Sequence, residues 1–275
     1  MTGLFKYFPP DKLGFFENRQ VLLTPPKYLN DAWDFLQKGR IRTDEEIARE
    51  CQKFEKEMEE GKPVPAELAQ LRPEERWQKF YIAGKSQAFA EGLPNYSKER
   101  ISLTHGIVSL TEKPSCRLMW AHYAGSHTGF VAEFVTQDRV KKEGHIFHGC
   151  INAFAAKVEY PTSFKLSPWT SENIYDQFWS KHPDWKYEQE WRIVWELSLS
   201  ISRCEKLYGH TEPLKYYCLP FEPANLAQVI FGMRMKQEDQ RRLRLMLNQN
   251  EFKHVQKQIT AIDNETGELI LKPLT

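Results

Sequence analysis

The stretch Glu190-Trp191-Arg192-Ile193-Val194-Trp195-Glu196-Leu197 puts Trp191, Ile193, Trp195 and Leu197 on one side of an extended chain and Glu190 and Arg192 on the other. That period of two predicts a strand with one face in a core. Further β-prone runs lie on either side of it, at Gly106 to Leu110, Gly129 to Val135, Ile151 to Tyr160, Leu214 to Phe221, Gln228 to Gly232 and His254 to Ile262. Near the amino terminus, Leu4 to Tyr7 and Gln20 to Thr24 end at Pro9-Pro10 and Pro25-Pro26, which cannot donate a ladder hydrogen bond. Asn264-Glu265-Thr266-Gly267 supplies turn chemistry for a final hairpin.

Helical signals interrupt these strands. Thr43 and Glu46 have capping-box spacing, and Asp44, Glu45 and Glu46 put negative charge where the helix dipole favours it. A helix from Asp44 to Glu59 is expected, with a thin apolar stripe of Ile47, Cys51, Phe54 and Met58. A second is expected from Pro73, a favourable first-turn residue, to about Glu91, and a late one over Gln237 to Asn248. Strands broken by helical stretches, without regular βαβ alternation, imply an α+β fold with a mixed, mostly antiparallel β core. The expected organisation is a single domain over 1–275 carrying a helical insertion at 43–92.

At 275 residues the chain is long enough to enclose a site. Hydrophobic residues make up 41% and charged residues 27%, which excludes a disordered chain. Thirty-eight Lys and Arg balance 37 Asp and Glu, so no global field draws it to nucleic acid or an anionic membrane. The strip Arg234, Lys236, Arg241, Arg242, Arg244, Lys253 and Lys257 is a local contact for phosphates, but it lacks the aromatic interleaving of single-strand binders and reads better as a solvated face. No run approaches the ~20 apolar residues of a membrane span, and Pro9-Pro10 precedes any apolar run long enough for a signal peptide; a cytoplasmic protein without membrane partners is expected. Five scattered cysteines without Cys-x-x-Cys predict reduced thiols. A Gly-x-Gly-x-x-Gly fingerprint and a phosphate loop are both absent.

Two segments concentrate chemistry. Ser109-Leu110-Thr111-Glu112, followed by Met119-Trp120-Ala121-His122-Tyr123, collects hydroxyl, imidazole and aromatic groups near strand ends and makes either a polar-aromatic pocket or a buried aromatic hinge. Trp185-Lys186-Tyr187-Glu188-Gln189-Glu190-Trp191-Arg192 puts Glu188, Glu190 and Arg192 on one side of an extended chain. Such carboxylates are costly to bury unless paired, and they serve either a ligand or the exposed ladder of an edge strand. Glu143 to Cys150 holds metal-capable side chains, but no matched ligand pair accompanies them, so no metal is expected.

Leu4-Phe5-Lys6-Tyr7, Leu22-Leu23-Thr24-Pro25-Pro26 with Leu29-Asn30-Asp31, Val108-Ser109-Leu110-Thr111-Glu112, Met119-Trp120-Ala121-His122-Tyr123 with His127 and Gly129, and Trp185-x-Tyr187-Glu188-x-Glu190-Trp191-Arg192 with Ile230-Phe231-Gly232 occur in a familiar order. In this order the chain resembles a bacterial family called domain of unknown function 2971. It departs at Ala32-Trp33-Asp34, where that family usually has Pro-Phe-Glu.

The order of an early-strand polar residue, Ser109-x-Thr111 and Glu188-x-Glu190 also resembles the mono-ADP-ribosyltransferases, which implies a split sheet and NAD as cosubstrate. The resemblance implies that Glu190 is the catalytic carboxylate beside the nicotinamide ribose and that Glu188 orients or deprotonates the acceptor. It further implies that the strand of Ser109 and Thr111 shapes the pocket and that an aromatic ring, here Tyr123 or Tyr7, stacks on nicotinamide; Lys6 or Arg192 is the expected cation for the pyrophosphate, and His122 joins the polar-aromatic pocket read from its segment. The expected function is NAD-using ADP-ribosyl transfer or NAD hydrolysis, as in a toxin or phage-defence effector, with a small-molecule nucleotide and a macromolecular acceptor as partners. Two alternatives stay open: a noncatalytic module whose Trp120, Tyr123, Trp185 and Trp191 line a groove, and a metal-dependent nuclease-like enzyme using Asp31, Glu188 and Glu190.

Overall fold

The alternating stretch lies inside a broad sheet, away from its edges. A computed structural model describes residues 3–31, 33–35, 40–135, 144–147, 153–162, 176–197, 202–204 and 216–274. In chain order the elements begin β1 (Leu4–Phe8), α1 (Gly14–Asn18) and β2 (Gln20–Leu23). Four helices follow: α2 (Asp44–Glu59), α3 (Ala66–Ala69), α4 (Pro73–Lys85) and α5 (Gln87–Thr104). Next come β3 (His105–Thr111), α6 (Arg117–Tyr123), β4 (Phe130–Phe134), β5 (Gly144–Phe147), β6 (Ala153–Lys157) and β7 (Glu190–Glu196). The chain continues through β8 (Ser202–Cys204), β9 (Tyr216–Pro220), β10 (Leu226–Phe231), α7 (Gln237–Leu247), β11 (Gln256–Ile262) and β12 (Leu269–Pro273).

Nine strands form one mixed sheet in the order β12-β11-β10-β4-β1-β3-β7-β6-β5, in which β10 and β11 run parallel and the other pairs antiparallel. A small sheet, β2-β9-β8, accompanies it. The fold is therefore α+β. Because β7 pairs with β3 on one side and β6 on the other, the edge-strand reading of Glu188-x-Glu190 is corrected: neither face of this strand's ladder is free.

Two compact units partition the chain, one of residues 1–34, 101–164 and 176–275, the other of 35–100 and 165–175. The first contains the sheets. One face of its central strands buries Leu4, Phe8, Leu110, Phe130 and Phe134 in the larger core. On the other face, Phe5, Tyr7, Met119, Trp120 and Val131 form a second cluster, with Trp120 edge-on to Tyr7 at 5.5 Å. Gly129 is required where β4 begins, since a Cβ there would lie 2.0 Å from the Phe8 carbonyl oxygen.

In the second unit, Thr43 makes both halves of the expected capping box with Glu46, and α2 packs on α4 through Phe54 and Phe80. The expected helix from Pro73 to about Glu91 is in fact two. Ser86 is extended, and its hydroxyl accepts from the Phe89 N–H, so one helix ends and the next is capped at the same residue. The second continues past Gly92, a weak helix former, to Thr104.

Among the described residues, β1 and β3 share one paired position, Phe5 with Thr111. By contrast β1 pairs with β4 at five positions and β3 with β7 at seven. β1 and β3 are thus joined more narrowly than their neighbours within the one sheet, and the candidate site lies beside this seam.

Candidate functional site

Register places the site. Ser109 stands opposite Arg192 and Thr111 opposite Glu190, so these four side chains leave the same face of the β3–β7 pair. Glu188 ends the short 3-10 turn Pro183–Glu188, and Gln189 takes a left-handed conformation at φ 44° before β7 begins. This costly backbone brings Glu188 alongside Glu190 even though the two are not on one regular strand. From α6, Tyr123 reaches across to them.

Lys181 joins the carboxylates. Its Nζ donates to Glu188 Oε2 at 2.7 Å and Glu190 Oε2 at 3.2 Å, stands 3.9 Å from Asp34 Oδ2, and lies 4.8 Å over the Trp185 ring. Arg192 grips Glu190 with two nitrogens, at 2.9 and 3.0 Å, and Asp34 with Nη2 at 2.9 and 3.1 Å. The remaining Glu188 oxygen accepts from the Tyr123 hydroxyl at 2.5 Å, and Asn30 donates to that hydroxyl oxygen at 2.7 Å. All five charged groups are buried.

The two glutamates respond oppositely to this burial. Desolvation raises Glu190, but the Arg192 and Lys181 cations and their hydrogen bonds outweigh it and hold the carboxyl down to about 2. Glu188 is raised, because burial and the neighbouring Glu190 charge exceed the help from Lys181 and Tyr123. Asp34 is also raised by burial despite Arg192 and Lys181. Tyr123 is pushed far up by burial and by Glu188, so it remains a hydroxyl donor.

A cavity of about 90 Å³ opens beside this group. It is lined by Lys6, Tyr7, Ser109, Thr111, Tyr123, Glu188 and Glu190, all expected from sequence, and by Asn30, Asp34 and Lys181, which carried no expected role. Two expected pocket residues stand elsewhere. His122 is exposed and does not line the cavity, since successive helical residues leave α6 in different directions and Tyr123 takes the inward one. Arg192 is fully buried behind Glu190, its guanidinium committed to Asp34, Glu190 and the Phe178 carbonyl, so it does not line the cavity and is not placed to hold a pyrophosphate there.

The four aromatics expected to line a groove do not share one. Trp120 is buried in the second cluster, whereas Trp191 points to the opposite face from Glu190 and packs on the larger core. Asp31 accepts from the Trp33 N–H and does not line the cavity, and among the described residues no group of three or more acidic, His or Cys side chains is placed to hold a metal ion. Of Glu143 to Cys150, positions 143 and 148–150 lie outside the described residues.

A family model described as Protein of unknown function (DUF2971) matches residues 119–193. Over that span the chain resembles this family. The DUF2971 segment contains Tyr123, Lys181, Glu188, Glu190 and Arg192, while Lys6, Asn30, Asp34, Ser109 and Thr111 lie outside it. Asp34, outside the matched span, is paired with Arg192. No curated protein and no solved structure matches the chain. Among the described residues no helix is long and apolar enough to cross a membrane.

Proposed function

We propose that this chain breaks the N-glycosidic bond of a nucleotide, with NAD as the substrate, and passes the glycosyl group to water or to a macromolecular acceptor. One observation carries the reading: Glu188 and Glu190 meet at Lys181 on the floor of a cavity while their proton affinities are driven apart. Paired carboxylates whose environments separate them in this way divide the labour of glycosyl chemistry.

As the bond from ribose C1′ to the nicotinamide nitrogen breaks, its electron pair neutralises the pyridinium and leaves cationic character on the sugar. Glu190, kept ionised by Arg192 and Lys181, fixes a negative charge on the cavity floor, which favours that cation in the transition state. Glu188, a stronger base than an ordinary carboxylate because burial raises it, takes the proton of the attacking hydroxyl as the new C1′–O bond forms. Tyr123 holds that carboxylate in place. A 90 Å³ cavity admits the glycosyl end of a nucleotide and leaves the rest of the molecule outside it.

Purified protein incubated with NAD labelled in the ADP-ribose moiety, with and without cell extract, tests the reading. Nicotinamide release or label transfer is expected, lowered by about a hundredfold or more in Glu188→Gln. Equal turnover by wild type and Glu188→Gln, or no consumption of NAD, would sink it. A noncatalytic ligand-binding module is the second reading, favoured by the engagement of every Glu188 and Glu190 oxygen in the free protein. It predicts a thermal shift with ligand and no product.

A further inference from the structure

Among the described residues the large sheet ends in β12, which is paired with β11 on one side only. Two hydrogen bonds fix the direction of its main-chain groups: the Leu274 N–H donates to the Lys257 carbonyl at 3.0 Å, and the Asp263 N–H to the Glu268 carbonyl at 2.8 Å. Bonding alternates along an antiparallel pair, so the even-numbered residues of β12 turn their amides to β11, while Leu269, Leu271 and Pro273 turn theirs to the open side. Pro273 has no N–H, which leaves Leu269 and Leu271 with one donor and one acceptor each on that side.

The side chains sort by the same parity. Leu269 and Leu271 pack on the cluster that holds Phe5, Tyr7 and Trp120, so Glu268, Ile270 and Lys272 leave the opposite face. Glu268 and Lys272 are both exposed, and among the described residues neither stands within ion-pair distance of an opposite charge.

Glu268-Leu269-Ile270-Leu271-Lys272 is self-complementary about a two-fold axis at Ile270. A second copy laid antiparallel in that register sets Leu269 opposite Leu271 of the copy twice over, and these pairs exchange the free hydrogen bonds. Glu268 then stands opposite Lys272 of the copy in both halves, at the positions where cross-strand side chains come closest, and Ile270 meets its own counterpart on the axis. A shift of two residues either way breaks both charge pairs. Charge and proline ordinarily blunt a free edge. Here Pro273 only ends the ladder, and symmetry supplies each charge with its opposite.

We infer that β12 is an interface for a second copy of this chain, pairing the two molecules strand to strand and joining their large sheets into one.

Sedimentation velocity of the full chain over a range of concentrations tests it, with a reversible monomer–dimer equilibrium expected. Glu268→Lys or Lys272→Glu turns both charge pairs into like-charge pairs and should weaken self-association about tenfold or more. Mixed in equal amounts, the two variants should regain the wild-type affinity as a heterodimer, because every Lys of one chain then faces a Glu of the other. Recovery on mixing also shows that both variants are folded. Ile270→Asp, which places like charges on the axis, should abolish association of its own copies. A monomer at every concentration would overturn the inference and leave the edge to an extended segment of another protein. Self-association indifferent to the single reversals, or not restored by mixing them, would overturn it equally.

Discussion

Two arginines, one in each unit, hold carboxylates with paired guanidinium nitrogens. In the helical unit, Arg76 takes both oxygens of Glu55, at 2.6 and 2.7 Å, and also donates to the Leu71 carbonyl. In the sheet unit, Arg192 holds Glu190 and Asp34 at once, and Lys181 closes the group with Glu188. The first is a balanced pair whose glutamate side chain is 28% exposed, and it ties α2 to α4. The second ties three carboxylates to Lys181 and Arg192, lies out of solvent, and presents Glu188, raised by burial and bonded to Tyr123, to a cavity. A charge pair closed on itself at the surface serves as scaffold, whereas a buried charge network beside open space has a wall to offer a ligand.

Substitutions can break this contrast. Arg192→Met strands Glu190 and Asp34 without their shared cation and should destabilise the protein by about 3–5 kcal/mol in urea unfolding. Arg76→Met should lower the midpoint much less, because Glu55 can turn to water; equal losses would refute the distinction. Lys181→Met should cost less than Arg192→Met, about 3 kcal/mol, since Glu188, already raised, can take a proton when the ammonium is gone. Its activity on NAD should then require higher pH, which a pH–rate profile would show.

The acid limb of stability supplies a third test. Glu190 is held at about 2 against an ordinary 4.5, so its contribution is complete above about 4.5 and disappears as pH falls toward about 2. Glu188 and Asp34, raised by burial, work in the opposite sense and gain stability on protonation. Unfolding free energies measured across that range should fall in the wild type and flatten in Glu190→Gln; parallel curves would refute the assignment. Smallest of all, Tyr123→Phe should cost about 2 kcal/mol for the two hydrogen bonds of its hydroxyl, with a larger proportional loss of activity than of stability.

The sheet was legible where local pattern and tertiary demand agree. Trp191, Ile193, Trp195 and Leu197 announce β7 by their period, and Thr43 with Glu46 announces the start of α2. The break at Ser86 was not legible, since the residues on both sides favour helix and the interruption comes from a single hydroxyl cap. At the site, Glu188 and Glu190 stood out as adjacent acids in an apolar setting. Lys181 did not, because an isolated lysine in an aperiodic stretch looks solvated, and only burial nine residues from Glu190 gives it meaning. Bookkeeping offered one signal: carboxylates bound for a sheet interior need cations, and Arg192 alone was too few. His122 misled for a simpler reason, since neighbours in a helix point different ways.

The lone Phe5–Thr111 pairing has a consequence for molecular recognition. Beyond it, Ile107 of β3 exchanges both main-chain hydrogen bonds with Thr24, so β1 and β3 face one another over a short seam around Ser109. Ser109 already lends its carbonyl to Lys6 there. A molecule entering this seam meets amide donors and acceptors fixed by the fold, and substitution of side chains alters how tightly it is held more readily than it alters that backbone lining.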